Sequence, residues 1–313
     1  MGKIATKKYL IYCIILALFL QTSCKSGSSG NNKNAPTARE IKLIEVPTMM
    51  SDPESRSKYV SEHFWNNFDF SDSAYLTDTL KLRNHLATYL QVRSIARQDI
   101  ANKSLVDFIN RFMQGNVALK SYFPEEVSNI LYDPNSMGRN ETMYIVFLDN
   151  MIASRYVDEA TKGMYSFQLN LALKNRPGNK AVDFQYIDSK NKLSSLYKTQ
   201  GEYILLFFFE PGCPSCNTTK LEIEESPAFK AMGKKLTYLA VYSGEDLAAW
   251  EDSFSSYPSN WIVAHDIGQE LVNDNLYDMR ASPTMYLLDK DHKVLLKDPD
   301  FFQLNNYLSA LQQ

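Results

Sequence analysis

The chain has 313 residues, 44% hydrophobic and 22% charged, with a formal charge of −3, which is long enough for two ordinary folded domains. Residues 1–23 carry three lysines and no acid; without them 30 basic residues face 36 acidic ones, and this lack of basic surplus argues against nucleic acid as a partner. Of Cys13, Cys24, Cys213 and Cys216 only the last two lie in sequence of globular character, so one chain can build neither a four-thiolate zinc site nor a disulfide-scaffolded mini-domain.

Lys3, Lys7 and Lys8 precede an apolar run from Tyr9 to Leu20, too short for the roughly 20 residues that span a bilayer as a helix. Gln21-Thr22-Ser23-Cys24 follows. A basic start, a short apolar stretch and a small residue at the cut mark a secretory signal over residues 1–23. With Cys24 directly after Ser23, the segment resembles a bacterial lipoprotein signal, which implies that Cys24 carries lipid; Gln21 departs from the Leu such signals prefer. An ordinary cleaved signal and an uncleaved anchor are the alternatives. Residues 24–40, rich in Gly, Ser and Asn up to Pro36, read as a flexible tether. The expected address is the cell envelope, on its periplasmic side or at the outer membrane, where disulfides persist.

Residues 41–177 read as mainly helical. Val60, Phe64 and Phe68 repeat at helical spacing, with Trp65 beside them; Asp78 opens a helix through Leu82, Leu86 and Leu90. Ser104 is placed as the N-cap of a helix carrying Leu105, Phe108, Ile109 and Phe112. Tyr144–Ile152 and Tyr165–Leu173 continue the periodicity, and Gly115, Pro124, Pro134, Gly138, Gly163 and Pro177-Gly178 are taken as breakers. His63 and His85 lack companion ligands at metal-binding spacing and are expected at the surface or at caps. The aromatic stretch from His63 to Phe70 is expected in a core, and Tyr132-Asp133-Pro134-Asn135-Ser136 is turn chemistry.

Residues 178–313 alternate strands and helices. Val182–Ile187 reads as a strand and Leu193–Tyr197 as a short helix. The apolar run Tyr203–Phe209 reads as a strand covered on both faces. Cys213-Pro214-Ser215-Cys216 follows, at the start of a helix to residue 225, with Ser226-Pro227 opening another. Leu236–Tyr242 and Trp261–Asp266 are further strands, Glu245–Phe254 and Ile267–Leu276 helices, Met285–Asp289 and Val294–Leu296 a hairpin, and Phe301–Leu311 a closing helix. The fold class is α/β: a mixed sheet flanked by helices, behind a mainly α-helical domain.

Two thiols three positions apart at a helix start can close a small ring, the arrangement a reversible dithiol needs, and the helix N-terminus favours the thiolate at the first. With Ala181-Val182-Asp183-Phe184 ahead of the core and Ala281-Ser282-Pro283-Thr284-Met285 some 70 residues after the cysteines, residues from about 181 onward resemble the thioredoxin-like fold, closest to the TlpA/ResA type of thiol–disulfide oxidoreductase. Residues 41–177 resemble the helical domain of unknown function (DUF5106-like) that precedes such a domain in some Bacteroidetes envelope lipoproteins; Phe64–Phe70 and the Tyr132–Ser136 turn carry that likeness. The resemblance implies Cys213 as attacking thiol, Cys216 as resolving thiol, and a cis Pro283 facing the pair, leaving the Ser282 backbone to pair with an extended partner. Pro214 and Ser215 complete the expected contact surface.

The chain departs from that pattern. Gly212 stands where a Trp precedes the first Cys, and Phe207 and Thr219 stand where the family carries a buried acid near the second; Glu210, Glu222 and Glu224 are the candidate substitutes. The expected activity is exchange of disulfides in envelope proteins or small thiols, with no cofactor and no metal. The competing reading is a non-catalytic thioredoxin-fold binding lipoprotein in which the pair is a structural disulfide. Copper delivery requires a wider Cys spacing and a placed His, and a peroxidase requires another Cys environment with an Arg; Arg280 lies near Pro283, but the Cys pair argues against it.

Overall fold

A computed structural model describes residues 39–312. The expected signal, the lipid-bearing Cys24 and the tether up to residue 38 lie outside them. Six helices come first: α1 (Pro53–His63), α2 (Thr79–Ile95), α3 (Gln98–Gln114), α4 (Val117–Leu131), α5 (Glu141–Ala153) and α6 (Glu159–Leu173). Among the described residues no helix is long and apolar enough to cross a membrane.

Several sequence expectations need correction here. α1 ends at His63, and Phe64, Trp65 and Phe68 sit in the turns that follow, closed by Asn66 N–H to His63 O (2.9 Å) and Phe68 N–H to Trp65 O (3.2 Å). Leaving the helix lets Trp65 stack on Phe108 at 4.7 Å and meet Phe68 edge-on at 5.3 Å. These rings, Tyr89 and Phe123 form one buried cluster, whose paired aromatic geometry adds to simple area burial. His85 is neither a surface nor a capping residue. It is buried between Phe64 and Trp65, and burial lowers its pKa to about 4, so it sits there neutral. Ser104 is not a cap but an interior residue of α3, its hydroxyl donating to Ser61 O at 2.6 Å and meeting Tyr89 Oη at 3.0 Å. Pro124 and Gly163 lie inside α4 and α6 rather than between helices.

The second region is a seven-stranded mixed sheet: β1 (Gln185–Asp188), β2 (Leu193–Ser195), β3 (Tyr203–Phe208), β4 (Leu236–Tyr242), β5 (Trp261–His265), β6 (Thr284–Asp289) and β7 (Val294–Lys297), in the order β2-β1-β5-β4-β3-β6-β7. β3–β4 and β4–β5 are parallel and every other pairing is antiparallel. The 193–197 segment, expected as helix, forms β2 and a 3-10 turn (Leu196–Lys198), because Asp188 and Asn191 close a hairpin that pairs it with β1. β3 is central, and its alternation splits the core: Leu205 and Phe207 face one side, Ile204, Leu206 and Phe208 the other. On the Leu205 side lie α7 (Pro214–Glu225), α8 (Pro227–Met232), α9 (Leu247–Ser253) and α11 (Phe301–Ala310). α10 is a single turn (Glu270–Asn273) where the sequence pattern suggested ten helical residues; Asn275 at φ 49° and Leu271 O to Leu276 N–H (3.1 Å) stop it.

The two regions are clamped together at the segment that leads into Pro283. Tyr132 Oη donates to Asp278 Oδ2 at 2.7 Å, Arg280 Nε donates to Asp278 Oδ1 at 2.7 Å, and the Arg280 guanidinium covers the Tyr132 ring at 3.3 Å and donates to the Tyr132 carbonyl. Asn175 reaches Leu276 O at 2.8 Å, and Lys174 reaches the Asn275 carbonyl at 2.7 Å. On β7, Lys297 pairs with Glu141 at 2.8 Å; just beyond it, Arg139 donates to the Asp298 carboxylate at 2.6 Å.

Candidate active site

β3 ends at Phe208, and Phe209-Glu210-Pro211-Gly212 turns the chain out of the sheet. Gly212 takes φ +74° with open space around it, a backbone state that favours glycine over the Trp of related proteins. α7 then begins at Pro214, where the missing N–H is one the helix leaves unpaired in any case. Cys213 is its N-cap: its Sγ accepts from Cys216 N–H at 3.1 Å. A sulfur in that position feels the helix dipole and a direct N–H donor, and both stabilise a thiolate.

Cys213 and Cys216 are joined as a disulfide with Cα atoms 5.3 Å apart. Cys213 is half-buried and Cys216 is 4% exposed, so a partner sulfur reaches only the first. Pro283 follows a cis peptide bond after Ser282. The Ser282 carbonyl oxygen lies 3.6 Å from Cys213 Sγ and accepts the Ser215 hydroxyl at 2.7 Å. Ser215 Oγ is also 3.1 Å from Cys213 Sγ. Its single proton serves one acceptor at a time: the carbonyl while the sulfurs are bridged, and a Cys213 thiolate once they are reduced. The structure thus brings Cys213, Pro214, Ser215, Cys216, Ser282 and Pro283 to one place.

The family's acid positions hold no acid. Phe207 is fully buried and meets Trp261 edge-on at 5.6 Å, and Thr219 lies on the wall of a groove beside Pro283. On the opposite side of the pair, a cleft of about 340 Å3 is lined by Glu210, Cys213, Cys216, Lys220, Ser256 and Tyr257. Burial raises the Glu210 pKa above the usual carboxylate range. Glu222 borders the Thr219 groove instead, so of these two substitutes only Glu210 shares a cleft with Cys216.

Lys220 was missed by sequence reasoning. It is 6% exposed, one helical turn beyond Cys216 on α7, and its ammonium donates to Ser256 O with the Tyr257 ring centroid 5.1 Å away. Lysines are almost never fully buried without a partner, so the cation is held there by the 254–256 turn. The i, i+4 spacing to Cys216 was the one available signal; nothing local distinguishes a buried Lys from a solvated one. The Lys220 ammonium group thus lies in the wall of the cleft that Cys216 also lines. Arg280 is engaged with Asp278 and Tyr132. Among the described residues there is no cluster of three or more His, Cys, Asp or Glu that could hold a metal.

Residues 20–175 match the domain of unknown function DUF5106, and residues 177–297 match the AhpC/TSA family. A crystal structure of a thioredoxin-like protein from Bacteroides caccae is 32% identical, with 88% of this chain and 99% of that one covered and a TM-score of 0.78. The C-terminal domain of an uncharacterized protein from Bacteroides fragilis is 37% identical over 43% of this chain and 98% of that one, TM-score 0.42. The thioredoxin domain of a thiol-disulfide oxidoreductase from Bacteroides vulgatus is 22% identical over 44% of this chain and 99% of that one, TM-score 0.39. A comparison with curated proteins gives no match. Matched over almost the whole length of the Bacteroides caccae protein, and built as a DUF5106 domain followed by an AhpC/TSA-type domain, the chain belongs to this family of thioredoxin-like proteins.

Proposed function

We propose that the chain is a thiol–disulfide oxidoreductase that exchanges disulfides with envelope proteins or small thiols through Cys213 and Cys216. The observation that carries this reading is the asymmetry of the pair: a half-buried Cys213 Sγ at the helix N-terminus beside Ser282–Pro283, and a buried Cys216 behind it. In the dithiol form the Cys213 thiolate attacks one sulfur of a partner disulfide. A mixed disulfide forms, and the other partner sulfur leaves as a thiolate and takes a proton from solvent. Cys216 then loses its proton and attacks Cys213 Sγ, which releases the partner as a thiol and oxidises the pair. The reverse sequence oxidises a partner dithiol.

The Cys24 lipid anchor and the signal over residues 1–23 are part of the same proposal, since an oxidising envelope compartment suits a chain whose other retained cysteines form this pair. Reduction of insulin by dithiothreitol, with wild type and Cys213→Ser compared, tests the activity. Wild type is expected to accelerate insulin precipitation and the variant to fall to the uncatalysed rate. Equal background rates from both would leave the pair as a structural disulfide.

A further inference from the structure

The 133–139 turn of the helical region reaches beyond the clamp. Its Met137 borders a groove of about 600 Å3 whose other walls include Ser215, Thr219 and Glu222 of α7, Pro283, and Phe302 of α11. Ser215 ties this groove to the disulfide: its Oγ lies 3.1 Å from Cys213 Sγ and 2.7 Å from the Ser282 carbonyl, and Ser282 lines the groove as well. Met137 is fully exposed and Phe302 is 69% exposed. Exposed apolar side chains scattered singly mean little. Here two large ones, supplied by different regions of the chain, flank one groove whose wall includes Ser215, the neighbour of Cys213 Sγ.

The charge of the groove is one-sided. Glu222, Asp298 and Asp300 line it against a single cation, Arg139, and Arg139 is spent on the Asp298 carboxylate at 2.6 Å. Asp300 also caps α11. The cleft on the other side of the disulfide pairs one acid, Glu210, with one base, Lys220. An arriving chain therefore meets unbalanced negative charge on the Met137 side, with the exposed Met137 and Phe302 side chains beside it.

We infer that this groove seats an extended polypeptide segment of the partner, one that carries a large apolar side chain and a Lys or Arg within a few residues of its disulfide-bonded cysteine. The helical domain thereby selects the partner through the 133–139 turn. The inference rests on the proposed exchange activity and deepens it by assigning the substrate class. Methionine and aromatic side chains are the types enriched where protein partners meet, and a small disulfide has no group to cover Met137 and Phe302. Charge complementarity at such a rim acts on encounter rate and on discrimination between partners. The chemistry is the exchange written above: the partner disulfide is reduced, the Cys213–Cys216 dithiol is oxidised, and the partner's leaving sulfur is protonated by solvent.

The test uses the full chain in its dithiol form and peptides whose one cysteine is disulfide-bonded to 5-thio-2-nitrobenzoate. One peptide flanks the cysteine with Leu and Lys, one with Leu and Glu, one with Gly and Ser; 2,2′-dithiodipyridine, which carries no charge, is the small probe. The Leu/Lys peptide is expected to react about tenfold faster than the Leu/Glu peptide, an advantage that shrinks to about twofold in 1 M salt. Glu222→Lys is expected to narrow the charge preference about fivefold, and Met137→Ser to erase most of the advantage over the Gly/Ser peptide, both with an unchanged rate toward the small probe. Equal rates for the three peptides, or preferences that survive both substitutions, would overturn the inference while the exchange reading stands. A dithiol inert to the small probe as well would overturn the exchange reading and this inference with it.

Discussion

Asp278 is the residue on which the contact between the two regions turns, and replacing it gives a measurable loss. The carboxylate is almost fully buried and accepts from Tyr132 Oη and Arg280 Nε, both at 2.7 Å. Asp278→Ala removes a charge-assisted bond of about 1.5–3 kcal/mol and strands the Tyr132 hydroxyl, a further 1–3 kcal/mol. Two features reduce the total. Arg280 keeps its bond to the Tyr132 carbonyl, and its side chain, 24% exposed, recovers water. The expected loss is about 3 kcal/mol, or a melting temperature lower by about 6–12 °C for a chain of this size. Asp278→Asn keeps one acceptor and is expected to lose about half as much. Circular dichroism melts and urea titrations of the three proteins read both values. A loss below about 0.5 kcal/mol for Asp278→Ala, within the range of an ordinary surface substitution, would refute the clamp as the joint between regions.

Three further outcomes follow from the same geometry. Burial, opposed by Arg139, raises the Asp298 pKa to about 6; the fold prefers the protonated acid, so its contribution is complete below about pH 4 and is lost as pH rises through about 6. Between pH 4 and 7 wild type should therefore lose up to about 3 kcal/mol more than Asp298→Asn in urea titrations, a difference set by the two pKa values. Lys220→Met removes the cation one turn from Cys216 and is expected to slow release of the mixed disulfide about tenfold, read by mass spectrometry of the trapped intermediate, with initial attack by Cys213 little changed. Trp65→Ala empties the centre of the aromatic cluster and is expected to cost about 3–5 kcal/mol in urea denaturation.

The parts of this fold that were legible in the sequence are those carried by local signals. The run Tyr203–Phe208 can only be a strand buried on both faces, and Asp78, Ser226 and Pro227 announce their helix starts by residue type alone. Where the sequence misled, a tertiary contact outweighed the local pattern. Ser104 has the chemistry of a cap, yet inside a helix it donates to Ser61 O and accepts from Tyr89 Oη. His85 reads as polar, yet a shell of aromatic rings holds it neutral. Leu193–Ser195 reads as a helical turn until β1 is present to pair with it.

The site divides in the same way. Cys213, Pro214, Cys216 and Pro283 stand in motifs, whereas the Ser215–Ser282 bond joins residues 67 apart and the Tyr132–Asp278 bond joins residues 146 apart. No spacing rule reaches that far. The loss of the usual acids at Phe207 and Thr219 is visible in the sequence; the buried Lys220 cation in the cleft is visible only once the 254–256 turn is folded over it.

The central claim is that Cys213 and Cys216 form a reversible redox couple, and equilibrium titration of the folded chain in glutathione or dithiothreitol buffers tests it most directly. The account predicts one two-electron transition at a potential between about −300 and −100 mV, the range of exchange-active pairs, with unchanged circular dichroism in both forms. A pair that stays oxidised until the chain is unfolded by denaturant would contradict it.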